Sequence, residues 1–354
     1  MSPRIFFSWL VITVVTVILA TLIVLDRPTA SFNTVSREPV FKDLRSDPDS
    51  AVEIEIRSRF GEFTLTRSNG IWITPDRFNY KVEENDVRRL VAGLSDMRYI
   101  ERKTSIPERF TRLEVEDINN DDSESAYVKI TDSKGALLAE SIIGRPSARF
   151  IDGSISGTYV REPATNNVWL VSGLANVQTR LVPWLERKIV SIPSNNIAKI
   201  NLHNGKEKIL LTRGTSKEEV FLLADMPKGR KLNTNKVNSI SRTFAEINFE
   251  DVVPRGKLVF PDKVSVAKVT TYDGVEVTLR MATVDNKYWG RLSADYVSGS
   301  AKNIKLEKLA LKKVNEINER VKDWTYWLPS AVFEGLNLNL NKLLVVQKKA
   351  PSKL

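Results

Sequence analysis

The chain has 354 residues, of which 42% are hydrophobic and 27% are charged, and its formal net charge is +10. This length favours about two domains, and the composition is typical of a folded protein. Because cysteine is absent, the sequence excludes disulfides, thiolate catalysis, iron–sulfur clusters and cysteine-based zinc sites. A single histidine, His203, excludes multi-histidine metal sites and leaves little room for a Ser/His/Asp triad.

The N-terminal segment is predicted to cross a membrane. Residues 5–25 carry no charge, and a helix of that length spans about 31 Å, close to the hydrocarbon thickness of a bilayer. The run is longer than the apolar part of a signal peptide and lacks a small-x-small cleavage site, which favours an uncleaved single-pass anchor. The positive-inside rule places residues 1–4 in the cytoplasm. We therefore expect a bacterial inner-membrane protein with its bulk in the periplasm.

The next part of the chain predicts a tether followed by an α+β unit. Residues 26–50 are rich in Pro, Ser, Thr and Asp, which is typical of a tether. Residues 51–192 combine period-two alternation with a helix whose apolar positions are Val87, Leu90, Val91, Leu94 and Met97. The predicted strands are 52–56, 63–66, 71–73, 126–130, 136–143, 158–161 and 168–171. A second helix is predicted over 174–185.

The pattern then repeats over residues 195–335. Val237, Ile240, Phe244 and Ile247 have the same spacing as Val87, Leu90, Leu94 and Met97. A last helix is predicted over 306–324, and residues 336–354 are predicted to be a C-terminal tail. The predicted fold class is α+β, with two similar units of antiparallel strands and packed helices that arose by internal duplication.

A series of short motifs follows in a fixed order along the first unit. They are a leader at 40–44, Gly70-Ile71-Trp72, the helix 84–98, Phe110-Thr111-Arg112-Leu113, Gly144, Tyr159-Val160-Arg161, Val168-Trp169-Leu170-Val171 and Trp184-Leu185. This order resembles the domain of unknown function 4340 family, best over residues 40–192. The resemblance implies a membrane-anchored extracytoplasmic protein associated with gliding-motility-type ABC transporters. Its implied partners are an ABC permease, its ATPase and an extracytoplasmic auxiliary subunit.

No motif in the sequence predicts catalysis, a cofactor or a metal ion. The acidic stretch 114–124 lacks the glycine and glutamate positions of a calcium-binding EF-hand loop, so we interpret it as a solvated loop. Gly-x-Ser-x-Gly, P-loop and GxGxxG motifs are absent from the sequence. We therefore expect a protein that is not an enzyme, with a hydrolase using paired carboxylates as a distant alternative.

Basic residues cluster on the helix predicted over 302–322. The candidate interaction surface consists of Lys302, Lys305, Lys308, Lys312, Lys313 and Arg320. Leu306, Ala310, Val314, Ile317, Val321 and Trp324 are predicted to be its apolar face. The basic side either is simply solvated or meets anionic lipid headgroups, an acidic glycan or an acidic partner. Nucleic acid is not expected, because it would not be found in the predicted compartment.

These observations lead to one functional prediction and, besides the hydrolase, one further alternative. The prediction is a non-catalytic, membrane-anchored periplasmic accessory subunit of an envelope ABC transporter complex. The alternative is a free-standing periplasmic protein that binds a glycan or lipid, for which the tryptophans would provide stacking surfaces.

Overall fold

The structure is a computed structural model that describes residues 13, 14, 16, 38–120, 122–151, 155–214, 220–301 and 303–345. The predicted transmembrane helix, residues 5–25, lies outside this range except for three positions. Among the residues that are described, no helix is both long enough and apolar enough to cross a membrane.

Helices and strands alternate along the described chain as an α+β fold. The helices are α1 (Lys42–Ser46), α2 (Glu84–Ser95), α3 (Thr234–Ala245), α4 (Ile304–Val321), α5 (Ser330–Leu336) and α6 (Leu340–Leu343). The strands are β1 (Glu53–Ser58), β2 (Gly61–Ser68), β3 (Ile71–Thr74), β4 (Tyr80–Lys81), β5 (Tyr99–Thr104), β6 (Ala126–Thr131), β7 (Leu137–Ile151), β8 (Ile155–Arg161), β9 (Val168–Ser172), β10 (Ile197–His203), β11 (Lys208–Thr212), β12 (Leu222–Leu223), β13 (Asp251–Pro254), β14 (Ser265–Thr271), β15 (Val275–Val284), β16 (Lys287–Tyr296) and β17 (Trp324–Trp327).

The chain divides into two compact units. The first comprises Met1–Ile73 and Glu84–Arg180, and the second comprises Thr74–Glu83 and Leu181–Leu354. The division precedes the predicted boundary at 192–195 because Leu185, Ile189 and Ile192 are buried in the core of the second unit. The apolar patterning of these residues indicates burial but does not reveal which core receives them.

The first unit is built on one antiparallel sheet. Its strands lie in the order β3-β2-β1-β6-β7-β8-β9-β5, with antiparallel pairing throughout. Alternate residues of β1 are buried, as period-two patterning predicts. Helix α2 buries Val87, Leu90, Val91 and Leu94, which confirms the helix predicted from their spacing.

The second unit repeats this topology. Its strands lie in the order β12-β11-β10-β14-β15-β16-β17-β13, also antiparallel. When the two-residue strand β4 is left out and the other strands are numbered within each unit, the strand order 3-2-1-5-6-7-8-4 is the same in both. Two large antiparallel sheets therefore confirm the predicted α+β class. The units differ between their last two strands, where β8 and β9 are joined by residues 162–167 and β16 and β17 by a connection that contains α4.

The helix predicted near the end of the first unit is wrong, whereas the last predicted helix is confirmed with an earlier C-terminal end. Residues 174–181 form no helix, and Val182–Trp184 is a single 3₁₀ turn. Leu174 is about half exposed and Pro183 interrupts the backbone hydrogen bonds, so the segment has no continuous buried face. Helix α4 ends at Val321, and Trp324–Trp327 forms β17. This strand corresponds to β9 of the first unit, because each is the last strand of its unit in chain order and lies beside the strand at one end of its sheet.

Parts of the predicted tether and tail pack into the units. Phe41 and Leu44 are buried, and Val40 donates its backbone N–H to the Met97 oxygen at 3.0 Å in the first unit. At the other end, Leu336 and Leu343 are buried in the core of the second unit. The second unit therefore continues beyond the predicted limit at residue 335.

Gly144 is placed where a side chain does not fit. A Cβ atom there would lie 2.8 Å from the Glu114 oxygen and even closer to the Leu113 oxygen, and both are backbone atoms. We expect Gly144→Ala to lower the free energy of unfolding by about 1–3 kcal/mol, because the loop would have to shift. Gly256→Ala is the matched control, since its Cβ would meet nothing within 4 Å. Equal urea midpoints for the two variants would contradict this expectation.

Candidate functional site

The structure places the predicted basic residues in different environments along α4. Lys302 lies outside the described residues. Lys313 forms an ion pair with Asp273 at 2.7 Å, and Arg320 forms one with Glu186 at 3.5 Å. These two residues attach the helix to the rest of its unit. Among the described residues, the part of the candidate surface that is not attached to another element of the unit therefore reduces to Lys305, Lys308 and Lys312.

The Lys313–Asp273 pair has a structural role. Burial on its own would raise the pKa of Asp273, but hydrogen bonds from Lys313, Thr271 and Asn196 outweigh it and hold the pKa below its ordinary value. The carboxylate therefore stays ionised and keeps its partners near neutral pH. Arg320 additionally donates to the Ile189 backbone oxygen at 3.4 Å.

Helix α4 begins at a side-chain cap and buries one narrow face. Asn303 accepts a hydrogen bond from the Leu306 N–H at 3.0 Å, which satisfies one of the free donors of the first turn. Ala310, Val314 and Val321 are buried against the core. Leu306, which was predicted to be on this face, is 39% exposed. The first turns of the helix are thus less buried than the sequence pattern indicates.

The N-terminal half of α4 exposes apolar and cationic side chains side by side. Ile304 is 72% exposed, Leu309 48% and Leu311 41%. Lys305 and Lys308 lie among them on the helix, and neither has a carboxylate partner in the described part of the chain. Lys312 has a long contact of 3.7 Å with Glu316, on an exposed surface where such a pair adds little. We call Ile304, Lys305, Lys308, Leu309, Leu311 and Lys312 the α4 face.

A groove of about 650 Å³ runs beside the α4 face within the second unit. Lys308, Leu311 and Lys312 contribute to its lining, together with Lys81 and Glu186. Lys81 is exposed and Glu186 is paired with Arg320, and Glu316 and Glu319 also line the groove, so both signs of charge border it.

An aromatic cluster that the sequence did not predict supports this region. The Tyr80 ring lies 4.8 Å from that of Trp324 and 5.5 Å from that of Phe249, measured between centroids. Tyr326 is fully buried beside them. Tyr80 is distant in sequence from its three partners, so neither spacing nor periodicity could have brought them together.

Buried tyrosines predict a loss of stability at high pH. Burial is the largest cause that raises the pKa of both Tyr80 and Tyr326. Above about pH 10 tyrosines ionise in the unfolded chain but not at these folded positions, so the unfolded state binds fewer protons and the free energy of unfolding falls as pH rises. We expect Tyr326→Phe to flatten this decline, as measured by urea unfolding from pH 8 to 11. An unchanged slope in the variant would contradict the assignment.

Each unit also contains an arginine that anchors a loop over the sheet. In the first, Arg161 of β8 donates to the Val115 oxygen at 2.8 Å and lies 4.9 Å from the Phe110 ring centroid. In the second, Arg291 of β16 donates to the Leu258 oxygen at 2.7 Å and lies 4.4 Å from the Phe260 ring centroid. Arg161 also pairs with Asp117, which anchors the acidic loop that was interpreted as solvated.

The anchors occupy corresponding places in the two units. β8 and β16 are each the second-to-last strand of their sheet in chain order. Phe110 follows the end of β5 by six residues, and Phe260 follows the end of β13 by six. The sequence pattern included Phe110 and Arg161 but did not reveal that they contact each other.

A second cavity, of about 540 Å³, lies in the first unit. Tyr99 and Trp169 line it and pack edge to face with ring centroids 4.9 Å apart. Its carboxylates are those of Glu38, Asp43, Glu140 and Glu162, of which Glu162 accepts a hydrogen bond from the Tyr99 hydroxyl at 3.3 Å. Burial, followed by the charge of Glu162, raises the pKa of Tyr99 to about 12.

The fold and its two loop anchors define a class of protein with two α+β units of identical strand order. The family model described as "Domain of unknown function (DUF4340)" matches residues 72–273, which is more than half of the chain. The chain belongs to this family. No curated protein and no solved structure matches it significantly.

Proposed function

We propose that this chain is a non-catalytic, membrane-anchored periplasmic accessory subunit of an envelope ABC transporter complex. The observation that supports this most is the attachment of residues Glu38–Ser46 to the first unit. The Tyr99 N–H donates to the Glu38 oxygen at 3.1 Å, and Arg45 forms an ion pair with Asp96 at 3.2 Å. The tether is therefore shorter than the composition of residues 26–50 predicts.

The short tether limits how far the first unit extends from the predicted anchor. Between residue 25, where the predicted anchor ends, and Glu38 lie the twelve residues 26–37. Fully extended, they reach at most about 43 Å. A unit held this close to a bilayer has a high effective concentration for a membrane partner such as a permease. A free-standing binder would gain nothing from such a short link.

We infer in addition that the two units arose by internal duplication. The identical strand order and the matching Arg–Phe anchors support this inference, since each anchor joins the same two elements in its unit. Duplication followed by insertion of α4 into one copy would leave a single specialised face. That arrangement suits a scaffold that holds different partners on its two units.

The cavity in the first unit favours a second candidate function. An aromatic pair bordered by carboxylates is a common arrangement for binding a polyhydroxylated ligand such as a glycan. On this alternative, glycan fragments added to the full-length protein raise its melting temperature, and Trp169→Ala abolishes the rise. The accessory-subunit proposal predicts no such rise.

Co-purification tests the proposed function. Full-length protein would be crosslinked in cells of the native host, purified in mild detergent and analysed by mass spectrometry for its partners. We expect an ABC ATPase and a permease to be recovered, and to be lost when residues 1–25 are replaced by a cleavable signal peptide. Recovery of the same partners without the anchor would contradict the role of the tether, and recovery of the protein alone would contradict the proposal.

A further inference from the structure

The lysines of the α4 face are placed where they do not stabilise the helix. Lys305 and Lys308 lie in the first turns of α4, near the positive end of the helix dipole, where cations are unfavourable. Glu307 is the only acidic residue of the first turn. Departures from local preference of this kind are expected at functional sites rather than on ordinary solvated surfaces.

The exposed apolar residues of α4 also occupy positions that do not favour them, in the same part of the helix as the lysines. Ile304, Leu309 and Leu311 alternate with the lysines instead of facing the core. An ordinary helix surface would place polar residues at these positions. The unfavourably placed lysines and the exposed aliphatic residues therefore lie together on the first three turns of one helix.

The chemistry of the α4 face suits a lipid surface better than a protein. Protein interfaces are enriched in aromatic residues and arginine and depleted in lysine, whereas the α4 face has three lysines, three aliphatic residues and no aromatic residue. Aliphatic side chains that enter the acyl boundary beside lysines that reach the headgroups are typical of interfacial helices.

We propose that the α4 face binds an anionic lipid bilayer, with Ile304, Leu309 and Leu311 inserted and Lys305, Lys308 and Lys312 on the headgroups. Charge complementarity supports anionic lipid, because the face has three cations and, within the described part of the chain, its only ion pair is the exposed one from Lys312 to Glu316. This inference rests on the proposed function only in that the tether would hold the protein at a membrane. The second unit would then contact the bilayer through its own surface.

Spin labelling of the full chain in lipid nanodiscs tests this proposal. Because the chain has no cysteine, Leu311→Cys introduces a single attachment site. Leu222→Cys is the matched control, since Leu222 is an exposed leucine of the same unit. Nanodiscs that contain phosphatidylglycerol would be compared with nanodiscs of phosphatidylcholine alone, and label accessibility to oxygen and to a water-soluble nickel chelate would be measured.

We expect the label at position 311 to become more accessible to oxygen and less accessible to nickel in phosphatidylglycerol, while the label at 222 does not change. Adding Lys305→Glu and Lys308→Glu should lower the membrane-binding constant at least about thirtyfold, and high salt should weaken insertion. Equal behaviour of the two labels would overturn the proposal. So would shielding of position 311 only in a complex purified from the native host, which would assign the face to a protein partner. The nanodiscs contain no transporter subunit, so this result is independent of the co-purification.

Discussion

Replacing Tyr80 with alanine is expected to destabilise the second unit by about 3–5 kcal/mol. Tyr80 is 3% exposed and packs between the rings of Phe249 and Trp324. Its hydroxyl donates to the Glu186 oxygen at 3.2 Å. Alanine would leave a cavity among rigid aromatic rings that cannot collapse into it. The melting temperature of this unit should fall by roughly 10 °C, as measured by calorimetry.

Two variants separate the packing of Tyr80 from other effects. Tyr80→Phe keeps the ring and loses one hydrogen bond, so its effect should be about 1 kcal/mol. Phe78→Ala removes an exposed ring two residues earlier in the chain and should be nearly neutral. If Tyr80→Ala were as mild as Phe78→Ala, the segment Thr74–Glu83 would not be part of the second core.

Replacing Arg161 with alanine is expected to release the acidic loop of the first unit, at a cost of about 2–4 kcal/mol. The guanidinium group is almost completely buried and donates to the backbone oxygens of Val115 and Thr165, at 2.8 Å and 3.3 Å. Without it, buried carbonyl groups lose their donors and Asp117 loses its partner. Hydrogen exchange of residues 107–120 should increase, which would identify the released loop directly.

The control for this variant is Arg112→Ala, because Arg112 is an exposed arginine in the same loop. We expect it to change the free energy of unfolding by less than about 0.5 kcal/mol. Arg161→Lys keeps the charge but lacks the planar fork of donors, so it should restore only part of the stability. Full stability in Arg161→Lys would show that charge, and not directed hydrogen bonding, holds the loop.

Local patterning predicted much of the fold. Helix α2 and the strands of both meanders followed from apolar spacing, because each element buries one face of its own. The internal repeat could be detected for the same reason, since corresponding helices of the two units bury apolar residues at the same sequence intervals. The helix predicted over 174–185 was wrong because apolar spacing did not account for Pro183, which lies in a 3₁₀ turn, and the last predicted helix included Trp324, which instead begins β17.

Long-range contacts could not be predicted in this way. Arg161 with Val115, Arg291 with Leu258 and Tyr80 with Phe249 join residues more than thirty positions apart. The candidate site was predicted in part: the sequence identified the basic helix, but only the structure shows that Lys313 and Arg320 have carboxylate partners. The exposure of Leu311 depends on where α4 meets the sheet, which periodicity does not specify.

The most direct test of the central claim is the mass of the native particle. Full-length protein purified in mild detergent from its native host would be analysed by native mass spectrometry, with the detergent removed in the gas phase. The chain alone has a mass of 40.0 kDa. An accessory subunit predicts a larger particle that releases a permease and an ATPase on activation. A particle whose mass is that of the chain alone, or a multiple of it, would contradict the proposed function.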